Sequence, residues 1–306
     1  MDAVSHLIRI ARVDASLDKH CMLSVSTSMD VPYESERRAS FHVLLEGTCQ
    51  LQVGRHLLDL KPGDVVLIPS GESHRIVTPG TARVRGVTET RGDAFTTTLS
   101  EGGGEPVIDL FCGHYTFGPG AGSILFRSLP EPVQISFGET PESDAALRML
   151  SALMRDEAAR EGEGTAAILS SLCSVLLTMI LRTSRGATTD AALWTASTST
   201  SITRVVERVL ADPGSDWSID RASRLCAMSR ATFIRQFERN TGTTFGAFVT
   251  RVRLMVAADL LQTTGLTVGG VAAQVGYKSE SAFARAFRQE AGSTPARFRR
   301  AATLSS

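Results

Sequence analysis

"SRATFIRQFERNTGTTF" runs from Ser229 to Phe245, and fifty positions later "SESAFARAFRQEAGSTP" runs from Ser279 to Pro295. The two stretches agree at Ser229/Ser279, Phe233/Phe283, Arg235/Arg285, Phe237/Phe287, Gly242/Gly292 and Thr244/Thr294. In each, two Phe residues stand at i and i+4, so they share one helical face and form core. The Arg between them lies about 200° from the first Phe and points outward. Ser229 and Ser279 are strong N-cap residues, able to accept from an orphan backbone N–H of the first turn. Ahead of the first copy, "WSIDRASRLCAMS" offers a short helix with Ile219, Ala222 and Leu225 inward, then a tight connection. "TVGGVAAQVGYKS" does the same ahead of the second. Short helix, tight turn and capped helix with a basic outer face make a helix-turn-helix, whose second helix enters the major groove.

Between the copies, "FGAFVTRVRLMVAADLLQTT" carries Phe248, Val252, Val256 and Leu260 at helical spacing. About eighteen helical residues rise about 27 Å. That is close to the roughly 34 Å between successive major-groove faces on one side of B-DNA. One stiff connecting helix can therefore hold two reading heads in adjacent grooves.

Charge divides along the same line. From residue 201 onward there are 15 basic and 8 acidic residues, against 17 basic and 24 acidic in the first 200. A basic C-terminal third beside an acidic remainder suggests a polyanion-binding module joined to something else. All six histidines lie before residue 115. At 306 residues the chain should form two domains. The N-terminus lacks the apolar stretch of a secretory signal. "AAILSSLCSVLLTMIL" (166–181) reads as a buried or dimer-forming helix. No membrane association and a cytoplasmic location are expected.

The expected architecture is α+β and multidomain. Residues 1–140 should form a small barrel or sandwich, since short Val/Leu/Ile runs alternate with Gly and Pro turns; the motif and resemblance given below make it a cupin-like β-barrel sensor. Residues 141–184 should form a helical dimerisation hairpin broken at "EGEG", and Ser/Thr-rich 185–200 a linker. Residues 201–302 should form an all-α domain with two helix-turn-helix units.

That last region resembles the DNA-binding domain of the AraC family of bacterial regulators over its whole length. The likeness rests on "W-S-I-D", "M-S-R-A-T-F-x-R-x-F", "G-T-T-F", "R-x-R-L-x-x-A-x-x-L-L", "V-G-Y-x-S-E-S-A-F-x-R-x-F" and "G-S-T-P-x-x-F-R". Ala222 stands where the family usually has Leu, Ser223 where it has Ala, and Ala227 where the turn usually has Gly. The resemblance puts base-edge readers at Arg230, Ala231, Ile234 and Arg235, then Glu280, Ser281, Ala284 and Arg285. Arg235 and Arg285 suit bidentate contacts to guanine, Glu280 can accept from cytosine, and Ala231 or Ala284 can meet a thymine methyl. Ser229, Thr232, Lys278 and Ser279 are placed for phosphates. The alternative for either Arg is a phosphate contact or a solvated charge. The resemblance implies promoter DNA, RNA polymerase and a second copy of the chain as partners, and no enzymatic activity.

In the N-terminal half, "GDVVLIPSGESH" (63–74) fits the second cupin motif, G-x5-P-x-G-x2-H, with His74 facing the barrel. The first motif's His-x-His is reduced to His42 in "FHVLLEG", which argues against a metal-dependent cupin enzyme. His42 and His74 could still hold zinc; hydrogen-bonded barrel histidines are the alternative. Of five cysteines, Cys173 and Cys226 read as small hydrophobes on helix faces and Cys49 is ambiguous. Cys21 follows "DKH", where Lys19 and His20 could favour thiolate. Cys112 has His114 two residues on.

This half resembles the cupin-like sensors of AraC-type regulators, in particular those that respond to reactive chlorine species. The matching pieces are "MDAVSHL", "DKHC", "FHVLLEG", "L-x-PGDVVLIPSGESHR" and the "CG" at Cys112-Gly113. The resemblance implies a redox-sensing pair, Cys21 oxidised to sulfenic acid and resolved by Cys112 as a disulfide. "TETRGDAFTTTLSEGGGEPV" (88–107) reads as an insertion. The alternative is a small organic effector in a pocket lined by His42 and His74, with unreactive thiols.

Overall fold

In the computed structural model the described residues are 3–118, 120–137, 141–160, 162–183 and 199–303. They form two compact units: Asp14–Thr116 with Pro130–Ile180, and Met1–Val13 with Phe117–Leu129 and Leu181–Ser306.

The first unit is a two-sheet β-barrel. One sheet holds β11 (Val133–Ser136), β6 (Asp64–Ile68), β3 (Arg38–Glu46), β10 (Ile108–Phe117), β1 (Val13–Leu23), β9 (Thr96–Ser100) and β8 (Val87–Arg91), in that spatial order. The other holds β2 (Ser28–Val31), β7 (His74–Val77), β4 (Cys49–Val53) and β5 (His56–Leu60). Alternation places Cys49, Leu51 and Val53 of β4 inward and the two Gln between them outward, the pattern of a strand with one wet face. Leu23, Leu44, Val66 and Leu110 of the large sheet share one core with Met29, Leu51 and Ile76 of the small one. The stretch read as an insertion becomes the β8–β9 hairpin, and β9 joins the sheet parallel to β1 with Cys21 opposite Thr98.

Two helices complete this unit, α3 (Pro141–Arg160) and α4 (Thr165–Thr183). Arg155 of α3 donates to Asp109 and Glu46 at 3.1 and 3.0 Å, and the Tyr115 hydroxyl donates to the Cys173 carbonyl at 2.9 Å. Leu169, Cys173, Leu176, Leu177 and Ile180 of α4 are buried, whereas Met149, Leu153, Ile168 and Val175 leave an apolar face of the hairpin exposed. By length and composition alone α4 could cross a membrane (mean hydropathy 1.8 over Thr165–Arg182), and 44% of that stretch is buried here. The linker expected at 185–200 lies outside the described residues up to 198; Ser199 is already the N-cap of a helix.

The second unit is helical: α5 (Thr200–Ala211), α6 (Ile219–Leu225), α7 (Arg230–Thr241), α8 (Phe245–Thr263), α9 (Val268–Gln274), α10 (Glu280–Ala291) and α11 (Pro295–Thr303). Central to it is α8, which buries Phe245, Phe248, Val252, Leu254, Met255, Ala258 and Leu261. Two elements from the N-terminal half pack with these helices. They are α1 (Ala3–Ala11) and α2 (Ala121–Arg127), through Leu7, Ile10, Ala11, Ala121, Ile124 and Leu125. A linear division at 140 assigns both to the barrel; the contacts group them otherwise. The reason is local. Leu7, Ile10 and Ala11 fall at i, i+3 and i+4, as do Ala121, Ile124 and Leu125, so each short helix has an apolar stripe that must be buried against another helix.

Candidate functional site

The duplicated stretches become α7 and α10, alike at every terminus. Ser229 accepts from the Thr232 N–H and Ser279 from the Ala282 N–H, both at 3.2 Å. Gly242 and Gly292 end the helices in the left-handed region at φ 65° and 72°, where a Cβ is disfavoured. The rings of Phe233 and Phe237 pack tilted with centres 5.5 Å apart, those of Phe283 and Phe287 5.6 Å apart, and all four are fully buried. With those faces inward, Arg230, Ala231, Ile234 and Arg235 of α7 and Glu280, Ser281 and Arg285 of α10 are exposed, as are Ser229, Lys278 and Ser279, while Thr232 and Ala284 are half-buried. Arg230 is also bound to Asp220 at 3.1 Å, an exposed pair worth at most about 1 kcal/mol and easily exchanged for a phosphate.

Sequence reasoning missed the role of Arg253. Its guanidinium donates to the Pro213 and Ser215 carbonyls, both at 2.9 Å, and lies 5.9 Å from the Tyr277 ring centre. One α8 side chain thus ties the loop before the first unit to the turn of the second.

In the barrel, strand register brings together what sequence separates. Cys112 of β10 lies directly opposite His42 of β3, with His42 Nδ1 3.1 Å from Cys112 Sγ. Across the interior, His42 Nε2 is 2.7 Å from His74 Nε2, and His74 Nδ1 is 2.7 Å from the Glu72 carbonyl oxygen. A carbonyl only accepts, so His74 Nδ1 carries a proton and its Nε2 is the acceptor. His42 therefore donates from Nε2, which leaves its Nδ1 to accept the Cys112 S–H. Every neutral group in this chain has one consistent role. Burial pushes both imidazoles below their ordinary range, His42 further because His74 faces it. Burial, followed by the Cys21 thiol beside it, pushes the Cys112 thiol well up.

Cys21 Sγ is 3.7 Å from Cys112 Sγ and 3.8 Å from Met29 Sδ. All five cysteines are free and buried; burial raises Cys49 and Cys173 to about 12. Of the "DKH" residues expected to act on Cys21, His20 turns to Asp109 at 2.8 Å and Lys19 pairs with Glu89. His114 likewise donates to Asp18 at 2.7 Å rather than facing Cys112. Gly113 explains the "CG" pair: a Cβ there would lie 2.4 Å from the Ser16 carbonyl oxygen and 2.3 Å from the Phe41 ring, so only glycine lets β1 approach so closely. A cleft of ≈150 Å³, edged by Asp18, Lys19, Glu34 and Arg38, reaches His42 and Cys112.

Of the two readings of His42 and His74, zinc ligands or hydrogen-bonded barrel histidines, the geometry fits the second. Zinc takes four N, S or O ligands in a closed site. Among the described residues no group of three or more His, Cys, Asp or Glu could hold a metal ion. His42 and His74 instead hydrogen-bond to each other, and the other cupin metal ligands have no counterpart here.

Residues 2–184 match the Cupin family and residues 222–301 match a helix-turn-helix domain family. An uncharacterized HTH-type transcriptional regulator of Haemophilus influenzae is 28% identical, covering 99% of this chain and 100% of its own. The RCS-specific HTH-type transcriptional activator RclR of Escherichia coli is 27% identical over 98% of this chain and 97% of its own. The DNA-binding domain of AdpA, solved with a target DNA, is 30% identical, covering 35% of this chain and 96% of that one at a TM-score of 0.34. The paired helix-turn-helix units on one connecting helix, preceded by a cupin barrel, agree with the two domain-family matches and the full-length regulators, and the chain belongs to the AraC-type DNA-binding transcription regulators that carry a cupin domain.

Proposed function

We propose that this regulator is a sequence-specific activator switched by oxidation of the Cys21–Cys112 pair. The reading is carried by the 3.7 Å Sγ–Sγ separation of two free thiols, one of them at the end of a cleft. A small rotamer change brings them to the disulfide distance of about 2.05 Å. The cleft is smaller than the roughly 300–1,000 Å³ typical of organic-ligand pockets, which favours a small oxidant over a bulky effector. Cys112 lines the cleft and Cys21 does not, so the order expected from sequence is reversed in this proposal. Hypochlorous acid oxidises the Cys112 thiol to sulfenic acid and leaves as chloride and a proton. The Cys21 thiol then attacks that sulfur, forming the S–S bond and releasing water. His42 Nδ1 is placed to take the Cys112 proton. RclR is named for this class of oxidant and for activation.

On the DNA side, Arg235 and Arg285 read base edges in adjacent major grooves, Arg230, Ala231, Ile234, Glu280, Ser281 and Ala284 line the same faces, and Ser229, Thr232, Lys278 and Ser279 meet phosphates. The exposed apolar face of Met149, Leu153, Ile168 and Val175 supports pairing of two chains, and an activator must also meet RNA polymerase. Footprinting of the chain's own upstream region with reduced and oxidised protein, alongside mass mapping of thiols after one equivalent of hypochlorous acid, tests the scheme. A 21–112 linkage with an altered footprint is expected; oxidation confined to Cys49, Cys173 or Cys226, or an unchanged footprint, refutes it.

A further inference from the structure

The buried sulfur atoms of the barrel suggest a second chemistry, independent of any oxidant. Cys21 has two other sulfurs beside it, Cys112 Sγ at 3.7 Å and Met29 Sδ at 3.8 Å. None of the three is in a disulfide, and all three residues are at most 5% exposed. Around them the core is Leu23, Leu44, Leu51 and Ile76, a dry apolar wall. Two thiols and a thioether are not a general-purpose donor set. A thioether is a poor partner for zinc, calcium or magnesium, whereas thiolate and thioether together select Cu(I). The two separations from Cys21 agree: metal–sulfur bonds of about 2.3 Å set neighbouring sulfur ligands about 3.8–4.0 Å apart in trigonal or tetrahedral arrangement.

We propose that reduced Cys21, Cys112 and Met29 form a binding site for one Cu(I) ion. Binding converts both thiols to thiolates and releases two protons; no electron is transferred. The cleft that ends at Cys112 and His42 is the entry path. The ion and the disulfide use the same sulfurs, so each state excludes the other.

The test uses full-length, reduced protein without oxygen, oxidant or DNA, titrated with Cu(I) against a chromophoric chelator such as bicinchoninate. One Cu(I) per chain should be retained, and X-ray absorption should give three sulfur scatterers at about 2.3 Å. Met29→Leu, which keeps volume and both thiols, should weaken retention about tenfold, the scale of one lost supporting interaction at a metal site. Cys21→Ser and Cys112→Ser should abolish retention. A Cys49→Ser/Cys173→Ser/Cys226→Ser triple variant should bind like the parent and controls for adventitious thiols. Failure of the parent to hold copper, or parent-like retention in Cys21→Ser or Cys112→Ser, overturns the site; an unchanged Met29→Leu variant with two sulfur scatterers overturns the thioether ligand. Oxidative linkage of Cys21 to Cys112 is read in copper-free protein, so either idea can fail without the other.

Discussion

The two helix-turn-helix units share their helix ends and part company at their turns. In the first, Ala227 N–H donates to Arg224 and Met228 N–H to Ser223; in the second, Gly276 donates to Ala273 and Tyr277 to Ala272. The hydrogen-bond pattern is the same, and so is the demand for a left-handed residue, met at φ 52° by Ala227 and 85° by Gly276. Only the second position is crowded. A Cβ on Gly276 would sit 2.6 Å from the Gly214 carbonyl oxygen and 2.7 Å from Arg253 Nη2, whereas Ala227 is exposed. A turn can carry an L-residue at some cost in strain where solvent is the neighbour, and not where backbone is.

That contrast can be broken most forcefully at Gly276. Gly276→Ala combines left-handed strain with a backbone clash and should cost about 2–3 kcal/mol, read as a lower denaturant midpoint at unchanged slope. A loss below about 0.5 kcal/mol would mean the two turns are equivalent after all. Next come the outward arginines. Arg235→Ala and Arg285→Ala should each weaken specific DNA binding by about 1–3 kcal/mol and relax preference at one base pair. A uniform loss across sequences, with a salt dependence reduced by about one ion, would make that Arg a phosphate contact and sharpen the difference between the copies. Ser229→Ala and Ser279→Ala should each cost about 1 kcal/mol; markedly unequal losses by thermal unfolding would show that the caps are not interchangeable. The smallest effect is a gain. Ala227→Gly should stabilise by about 0.5–1 kcal/mol, and a loss instead would show that the first turn carries no strain.

The helical unit was legible because its signals are local. Phe at i and i+4, Ser at the N-cap and Gly at the helix end lie within one stretch, and the second copy repeats them in register. The barrel was legible only as a class of fold. Short strands and the Gly-Pro-Gly-His motif announce it, but the meeting of Cys112 with His42 depends on β10 pairing with β3, and that of His42 with His74 on two sheets closing over one core. Met29 gave no local sign at all: "STSMDV" is an ordinary strand until β2 is placed against β7. On a strand His20 takes the face opposite Cys21, while Lys19 and His114, each two residues from a cysteine, share its face; the acidic partners of the three, Asp109, Glu89 and Asp18, come from other strands and could not be read from local sequence. α1 and α2 escaped because each is too short to reveal its partner, which lies more than a hundred residues downstream.

The path of the chain adds a consequence to the thiol pair. Cys21 follows the passage at Val13 by eight residues, and Cys112 precedes the passage at Phe117 by five. The two strands bearing the cysteines are thus the strands whose ends run on, without another β-element intervening, into α1 and α2 of the helical unit. A bond between their sulfurs would cross-link, inside one sheet, the two neighbouring strands that lead by chain connection into α1 and α2.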